Sequence, residues 1–315
     1  MASPAAGTDP SLPGIPNAVW EVIACPQCAG ELARVDRSLR CKDCGCVFEH
    51  SSSGAVDLRL RRPKTFPMEF RLGAGLVKDG FEFGPLLPRR NPEVDFAGTT
   101  APWHLTQALL SYFPKAASDR SIALDLGCGS GLHRETCERA GFQWAGLDYS
   151  NPMAPILGDG HALPFRASSV EFVVSMAVLE HIRYPFVVAQ EVLRVLKPGG
   201  YYIGTVAFLE PFHGDSFYHH THLGTYNTLD SAGFEVLRVA PNEDWSGLRA
   251  QANMSLFPRL PAFMTTALVW PLEALHRLWW RIGSTIRPGA SERLRLLANA
   301  GSFEFVARKP EKAIR

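Results

Sequence analysis

The chain has 315 residues, 46% hydrophobic and 20% charged, an ordinary globular composition that at roughly 150 residues per domain suggests two domains. This balance excludes a disordered chain, a collagen-like repeat and a polytopic membrane protein. Thirty-two basic residues against 31 acidic ones leave a net charge of +1, so the whole chain has no general electrostatic pull on nucleic acid. The charge is uneven, because residues 246–315 hold eleven Lys/Arg against four Asp/Glu.

Residues 1–19 have neither the basic start nor the apolar stretch of a secretory signal and read as a flexible tail, with a cytoplasmic location expected. Five of the seven cysteines then crowd into CPQCAGELARVDRSLRCKDCGC. Cys25, Cys28, Cys41 and Cys44 form C-x2-C-x12-C-x2-C, two thiolate pairs spaced for the four tetrahedral ligands of a structural zinc ion. Gly30 and Gly45 follow the pairs, where positive φ is expected to aim backbone amides at sulfur. Cys46 is spare, and His50 is an alternative ligand. A closed four-thiolate site would hold together a piece too small to bury a core of its own, and would do no chemistry.

Residues 22–60 resemble the zinc-ribbon-like activator subunit of tRNA and protein methyltransferases. A looser likeness is to the zinc module of bacterial 23S rRNA guanine methyltransferases, whose fourth ligand is usually histidine, so Cys44 fits the first family better. The expected organisation is a tail at 1–19, a zinc ribbon at 20–60, a Pro- and Gly-rich linker at 61–100 and one α/β domain at 101–315.

From Pro102 the pattern turns regular, with a helix in WHLTQALLSYF, a strand SIALDL, a helix to about Ala140 and strands QWAGLD and VEFVVSM. A helix from about Pro185 to Leu196 is expected to stop at KPGG before a strand YYIGTVAF. Strands alternating with helices imply a parallel sheet covered on both faces. SIALDL runs into GCGSG, which puts Gly127, Gly129 and Gly131 in a turn where bare backbone can approach a ligand. Leu132 stands where a dinucleotide fingerprint needs glycine. Asp125, two residues before the loop, would repel a pyrophosphate but can accept from an ammonium group. Asp148 ends the next strand, the position from which a carboxylate reaches ribose hydroxyls, and Asp159 follows on a loop where it could accept from an adenine amino group.

LDLGCGSG, GLDYS, GDGHALPF, VVSMAVLEH and EVLRVLKPGGYYIGTV resemble, in order, the motifs of class I S-adenosylmethionine-dependent methyltransferases, over about residues 101–245. The resemblance implies a Rossmann-like seven-stranded sheet. It also implies that Asp125, Gly127, Gly129 and Gly131 surround the methionine end of S-adenosylmethionine, Asp148 and Tyr149 the ribose, Asp159 and Gly160 the adenine, and Ser175 and Met176 the sulfonium. The sulfonium already activates the methyl group, so catalysis is mainly alignment of an acceptor. His181 and His213 are the candidate catalytic residues on the acceptor side. PFHGDSFYHHTHL resembles the pattern P-x-H-x-x-P-x-D-x-x-R-x-T found over the acceptor pocket of some members, and departs from it at Ser216 and His220. A metal held by the histidines of this loop, or a plainly solvated loop, is the alternative.

FEVLRVAP and SFEFVARKP read as the last two strands, which makes residues 246–300 an insertion between them. Within it an amphipathic helix is expected over 262–283, with Leu272, Leu275, Trp279 and Ile282 on one face and Glu273, Arg277 and Arg281 on the other. Arg259 and Glu273 bound an apolar run of 13 residues, interrupted by prolines and too short to cross a bilayer. Trp270, Trp279 and Trp280 beside Arg277, Arg281 and Arg287 suit a peripheral contact with the inner face of a membrane, and a packed lid or subunit contact is the other reading. The expected function is methyl transfer to oxygen or nitrogen of a small-molecule or lipid- or glycan-linked acceptor. The rivals are an RNA base methyltransferase, disfavoured because the ribbon has no excess of basic residues, and a catalytically silent scaffold or activator.

Overall fold

The computed structural model describes residues 15–36, 38–70, 77–286 and 289–311. Most of the expected tail, and Arg287 beside the insertion helix, lie outside them. Residues 15–22 are part of the packed structure: helix α1 (Asn17–Val22) buries Val19, and Ile15 just before it is 5% exposed.

A small antiparallel sheet follows, made of β1 (Leu32–Val35), β2 (Ser38–Cys41) and β3 (Val47–Glu49). It is too small to enclose a core of its own. Its apolar residues Leu39 and Phe48 instead join one buried cluster with Ile122, Leu124, Leu147, Ile156 and Phe165 of the main sheet. Backbone bonds knit the two parts together, with Ala24 N donating to Pro164 O at 2.9 Å and Arg166 N to Val22 O at 2.8 Å. Strand β4 (Val56–Asp57) then leaves the ribbon and pairs in parallel with a strand of the main sheet.

The expected linker carries no helix or strand in its described part, yet it is packed rather than loose. Phe83, Leu86, Val94 and Phe96 are buried, and Lys64 Nζ donates to Pro26 O at 2.8 Å. The helix expected over 103–113 is cut to α2 (Gln107–Leu110), because His104 takes φ +69° and Thr106 caps the turn by accepting from Leu109 N at 3.0 Å.

The remaining elements are β5 (Ile122–Leu126), α3 (Arg134–Arg139), β6 (Gln143–Asp148), β7 (Ile156–Leu157), β8 (Val170–Met176), α4 (Pro185–Val195), β9 (Leu196–Ala207), α5 (His222–Ala232) and β10 (Glu235–Pro241). After them come α6 (Gly247–Gln251), α7 (Ala262–Ile286), α8 (Glu292–Asn299) and β11 (Ser302–Arg308). KPGG does not precede β9 but lies inside it, where the pairing with β8 shifts register between Val170↔Leu196 and Phe172↔Tyr201. The described strands form one sheet in the order β10-β11-β9-β8-β5-β6-β7-β4. Seven match the expected sheet, and the eighth is the ribbon's β4. The middle of the sheet is parallel, and β11 runs antiparallel between β9 and β10. β5 is fully buried along its length and flanked by β6 and β8. The order reverses at β5, and the carboxyl ends there open the crevice in which such sheets take ligands.

The long helix of the insertion turns its apolar face outward. α7 packs inward through Thr265, Val269 and Glu273, while Leu272, Leu275, Trp279 and Ile282 face solvent, Trp279 at 70% exposure. Glu273 does not pair with Arg277. It accepts from Arg249 Nη2 of α6 at 3.0 Å and from the Ser246 hydroxyl, so the charged side anchors the helix and the apolar side is left uncovered. Among the described residues no helix is long and apolar enough to cross a membrane.

Glu304 of β11 is almost wholly buried, with Oε1 accepting from the Thr106 hydroxyl at 2.7 Å. Burial pushes its carboxyl up to about 7, against the lowering effect of that bond. A carboxyl that binds its proton more tightly when folded adds stability below its ordinary value near 4.5, and this contribution fades as pH rises toward 7. In urea denaturation the wild type should therefore lose up to about 3 kcal/mol across that window relative to Glu304→Gln, which keeps the acceptor oxygen and cannot ionise.

Candidate active site and thiolate cluster

The four cysteine sulfurs converge between the first hairpin and the loop before β3. Cys25 Sγ lies 3.6 Å from Cys44 Sγ and Cys28 Sγ 3.4 Å from Cys41 Sγ, and all four lie within 4.8 Å of one another. Four sulfurs about 2.3 Å from a tetrahedral zinc ion stand about 3.8 Å apart, so the donor set fits that metal. Cys46 is outside the cluster, its sulfur 3.1 Å from Arg62 Nη2, and His50 is not part of it. Gly45 has the expected left-handed conformation at φ +70°, but in the first knuckle Ala29 has it, at φ +63°. Gly30 lies close under the Asp43 side chain, which would have to turn aside for a Cβ there, 2.1 Å from Oδ2.

At the carboxyl end of β5 the chain turns through Gly127, Gly129 and Gly131, all left-handed. A Cβ at Gly127 would meet Val178 Cγ2 at 2.4 Å, so the loop is bare for packing as well as for conformation. Asp148 closes the turn from the neighbouring strand. Its Oδ2 accepts from Gly129 N at 3.1 Å, and its Oδ1 from Ser150 N and Asn151 N at 3.0 and 2.9 Å. Asp125 is 1% exposed, with one oxygen accepting from Trp144 Nε1 at 3.1 Å and the other, Oδ1, without a hydrogen-bond partner. Burial raises its carboxyl, opposed by His133, whose Nδ1 lies 3.9 Å from Oδ1. An orphaned carboxylate oxygen beside an open glycine turn fits the cationic amino-acid end of S-adenosylmethionine.

Asp159 is engaged by its own turn, accepting from His161 N at 2.9 Å and approaching His161 Nδ1 at 2.6 Å. Burial alone would raise its carboxyl, and these His161 bonds outweigh it and hold the carboxyl low. Gly160 is buried beside it. Tyr149 is largely exposed, with the Arg59 guanidinium 5.8 Å over its ring. Arg59 comes from the segment after β4 and is held by Asp57, so the ribbon reaches the same edge of the sheet. Ser175 is not brought to that edge. Its side chain is fully buried beside Tyr202, because alternate residues of β8 point to opposite faces. Met176 is also buried, its sulfur 3.9 Å from the Thr205 hydroxyl, and Ala177 is the residue that reaches the cavity.

That cavity, of about 540 Å³, is lined by Trp103, Ala177, His181, Thr205, His213 and Met254, among others. A second cavity, of about 530 Å³, shares Glu210 and Asn242 with the first and extends beneath Glu273, His276 and Arg277 of α7. His181 and His213 meet at the first cavity, ring centroids 5.2 Å apart. Of the other loop histidines, His219 borders the second cavity with its ring centroid 6.3 Å from that of His213, while His220 is buried and His222 packs on Phe83. A metal held by His219, His220 and His222 together is therefore excluded. Sequence reasoning missed Trp103, Trp245 and Glu210, which lie far apart in the chain and carry no motif. Trp245 Nε1 donates to Glu210 Oε1 at 2.7 Å, and the Trp103 and Trp245 rings meet at 6.1 Å.

Residues 124–204 match a family model described as a methyltransferase domain. The sheet of which they form the middle has the class I methyltransferase fold. Over 111 residues the chain is 35% identical to the biotin biosynthesis bifunctional protein BioHC of Cellvibrio japonicus, covering 31% of this chain and 22% of that protein. Over 125 residues it is 30% identical to an uncharacterized methyltransferase of Mycobacterium sp. (strain KMS), covering 35% of this chain and 50% of that one. The chain thus spans half or less of the length of the curated relatives it matches first. Among solved structures, a complex between the Haloferax volcanii Trm112 methyltransferase activator and a candidate methyltransferase aligns at TM-score 0.46 and 21% identity, covering 68% of this chain and 91% of that one.

Elemental analysis of the purified chain should return one zinc per molecule. Cys41→Ser, which removes a buried donor, should lower this well below one and melt the first sheet by circular dichroism, because binding energy and folding energy are the same quantity in such a piece. A zinc-free chain with an intact ribbon would contradict the assignment.

Proposed function

We propose that this chain transfers a methyl group from S-adenosylmethionine to oxygen or nitrogen of a lipid- or glycan-linked acceptor presented at an anionic membrane surface. The observation that carries the first half is the buried Asp125 oxygen without a partner, beside a glycine turn closed by Asp148. When bound, the sulfonium supplies an activated methyl group. Asp125 would accept from the amino-acid ammonium, Asp148 from the ribose hydroxyls and Asp159 from the adenine amino group. The residues of the 540 Å³ cavity would orient the acceptor and exclude water from it.

The second half rests on α7. Met264, Leu268, Leu275, Ile282 and Ile286 follow helical spacing and are all exposed, with Trp279 beside them. Arg259, just before the helix, and Arg277 and Arg281, on the other side of it, are exposed as well. Apolar side chains that insert among acyl chains, together with long arginine side chains that can reach toward headgroups, complement an anionic bilayer. The second cavity runs under the same helix from the acceptor side, a route for a substrate anchored in that surface.

Calorimetric titration tests the cofactor half. Asp148→Ala should weaken S-adenosylmethionine binding by about 1.5–3 kcal/mol, since charge-assisted bonds are lost, and equal affinities would refute the ribose assignment. Co-sedimentation with vesicles tests the surface half. Wild type should bind mixed phosphatidylcholine–phosphatidylglycerol vesicles at low salt, lose binding as salt rises, and lose it also in the Leu275→Ser, Trp279→Ser double variant. Wild type that ignores anionic vesicles at low salt would make α7 a contact for protein instead.

A further inference from the structure

Glu180 is the most anomalous side chain in the molecule. It sits in the turn Leu179–His181 after β8, is 0% exposed, and neither carboxylate oxygen has a hydrogen-bond partner. A buried carboxylate without donors costs several kcal/mol, and such a group either holds a proton or meets a cation. Two imidazoles flank it. One donor atom each from Glu180, His181 and His213 lies within 4.8 Å of the others. Nδ1 of His181 is also buried and unpartnered.

The surroundings hold this trio in place. The Glu180 carbonyl accepts from Phe217 N at 2.7 Å and Tyr218 N at 3.2 Å, which ties the histidine loop down onto the turn. His213 Nδ1 lies 2.9 Å from the Pro211 carbonyl. A proton on Nδ1 satisfies that contact and leaves the lone pair of Nε2 free, the arrangement by which a carbonyl orients a metal-ligating histidine. Glu210 Oε2 stands 3.7 Å from the same Nε2 and adds a second carboxylate at the rim.

We propose that Glu180, His181 and His213 bind a divalent first-row transition-metal ion at the wall of the acceptor cavity. Two imidazoles and one carboxylate suit manganese, iron, cobalt or zinc better than the all-oxygen preference of magnesium or calcium. Metal–donor bonds of about 2.0–2.2 Å need donors about 3–3.5 Å apart, a closing-in that side-chain rotation supplies. Three ligands leave coordination positions open, and since His181 and His213 line the cavity these positions face the acceptor. The ligand class is an acceptor with two neighbouring oxygens, such as a vicinal diol or a hydroxy acid.

The catalytic consequence rests on the methyl-transfer reading. The ion acidifies a hydroxyl bound to it, and that proton passes to the Glu210 carboxylate. The oxygen's electron pair forms the new O–CH3 bond, while the pair of the breaking C–S bond returns to sulfur and leaves a neutral thioether. No stronger base is then required, which accounts for a pocket whose titratable groups are three histidines, His104, His181 and His213, and the carboxyls of Glu210 and Asp244.

The test uses the full chain with its thiolate cluster loaded with zinc. Mn(II) binding is followed by electron paramagnetic resonance, and Co(II) binding by visible absorption, where nitrogen and oxygen ligation is distinct from the intense thiolate bands of a cysteine site. Wild type is expected to bind one equivalent of either ion with the nitrogen and oxygen signature. Glu180→Gln and His213→Ala should weaken that binding about tenfold or more, and His222→Gln, remote from the trio, should not. Glu180→Gln removes only a charge, so a thermal melt at or above that of wild type, together with lost binding, separates ligation from folding. Asp148→Ala reports on the cofactor site alone and should leave the ion titration unchanged, so the two assignments fail separately. Absence of any such site in wild type, or affinities unchanged in both ligand variants, overturns the proposal.

Discussion

The turn at the carboxyl end of β5 is the constraint on which the rest of this molecule depends. Within five residues the backbone takes left-handed dihedrals at Gly127, Gly129 and Gly131, conformations that are costly for any residue with a Cβ. Asp148 holds the turn by accepting from an amide within it, and thereby couples β6 to the loop after β5. Val178, which follows β8, packs so closely on Gly127 that a methyl group would displace it. Three adjacent strands are locked at one edge, and the open face of that edge is where Asp125 keeps an unmatched oxygen.

The thiolate cluster acts on this edge from the side. A hairpin and a three-residue strand bury too little apolar area to stand alone, and here they are completed twice. Four sulfurs close the knuckles around a metal-sized space, and Leu39 and Phe48 enter the core of the methyltransferase domain. The chain that leaves the ribbon as β4 extends the sheet by one strand, and the Asp57–Arg59 pair beyond it lays a guanidinium over Tyr149. The ribbon is thereby packed along the sheet edge that carries Asp148 and Tyr149.

The acceptor side is assembled differently, from pieces distant in sequence and rich in unsatisfied groups. His181 follows β8, His213 and Glu210 follow β9, Trp103 precedes α2, Trp245 follows β10 and Met254 comes from the insertion. Within the insertion α7 is fixed to α6 by an ion pair, Glu273 with Arg249, of which the carboxylate is the more enclosed partner. Such an anchor specifies orientation more than it adds net stability. In this orientation the apolar stripe of α7 points away from the protein.

Much of this architecture was legible in the sequence, because it is written in local patterns. Alternating apolar runs and helical periods located β5, β6, β8, α4, β10 and β11, and two C-x2-C pairs located the thiolate cluster. The glycine turn and the aspartates at strand ends were likewise readable, since each depends on its own few neighbours in the chain. Tertiary structure alone decided the rest. That β4 would become an eighth strand depended on a partner about a hundred residues away, β7. That Ser175 faces inward depended on which side of β8 is covered. That the apolar face of α7 is the exposed one depended on where Glu273 found its arginine, a choice between Arg277 one turn away and Arg249 on another helix. That Glu180, His181 and His213 form one cluster depended on a loop folding back onto the turn after β8. Periodicity states which residues share a face, but what lies opposite that face is settled only by long-range contacts, which local sequence does not encode.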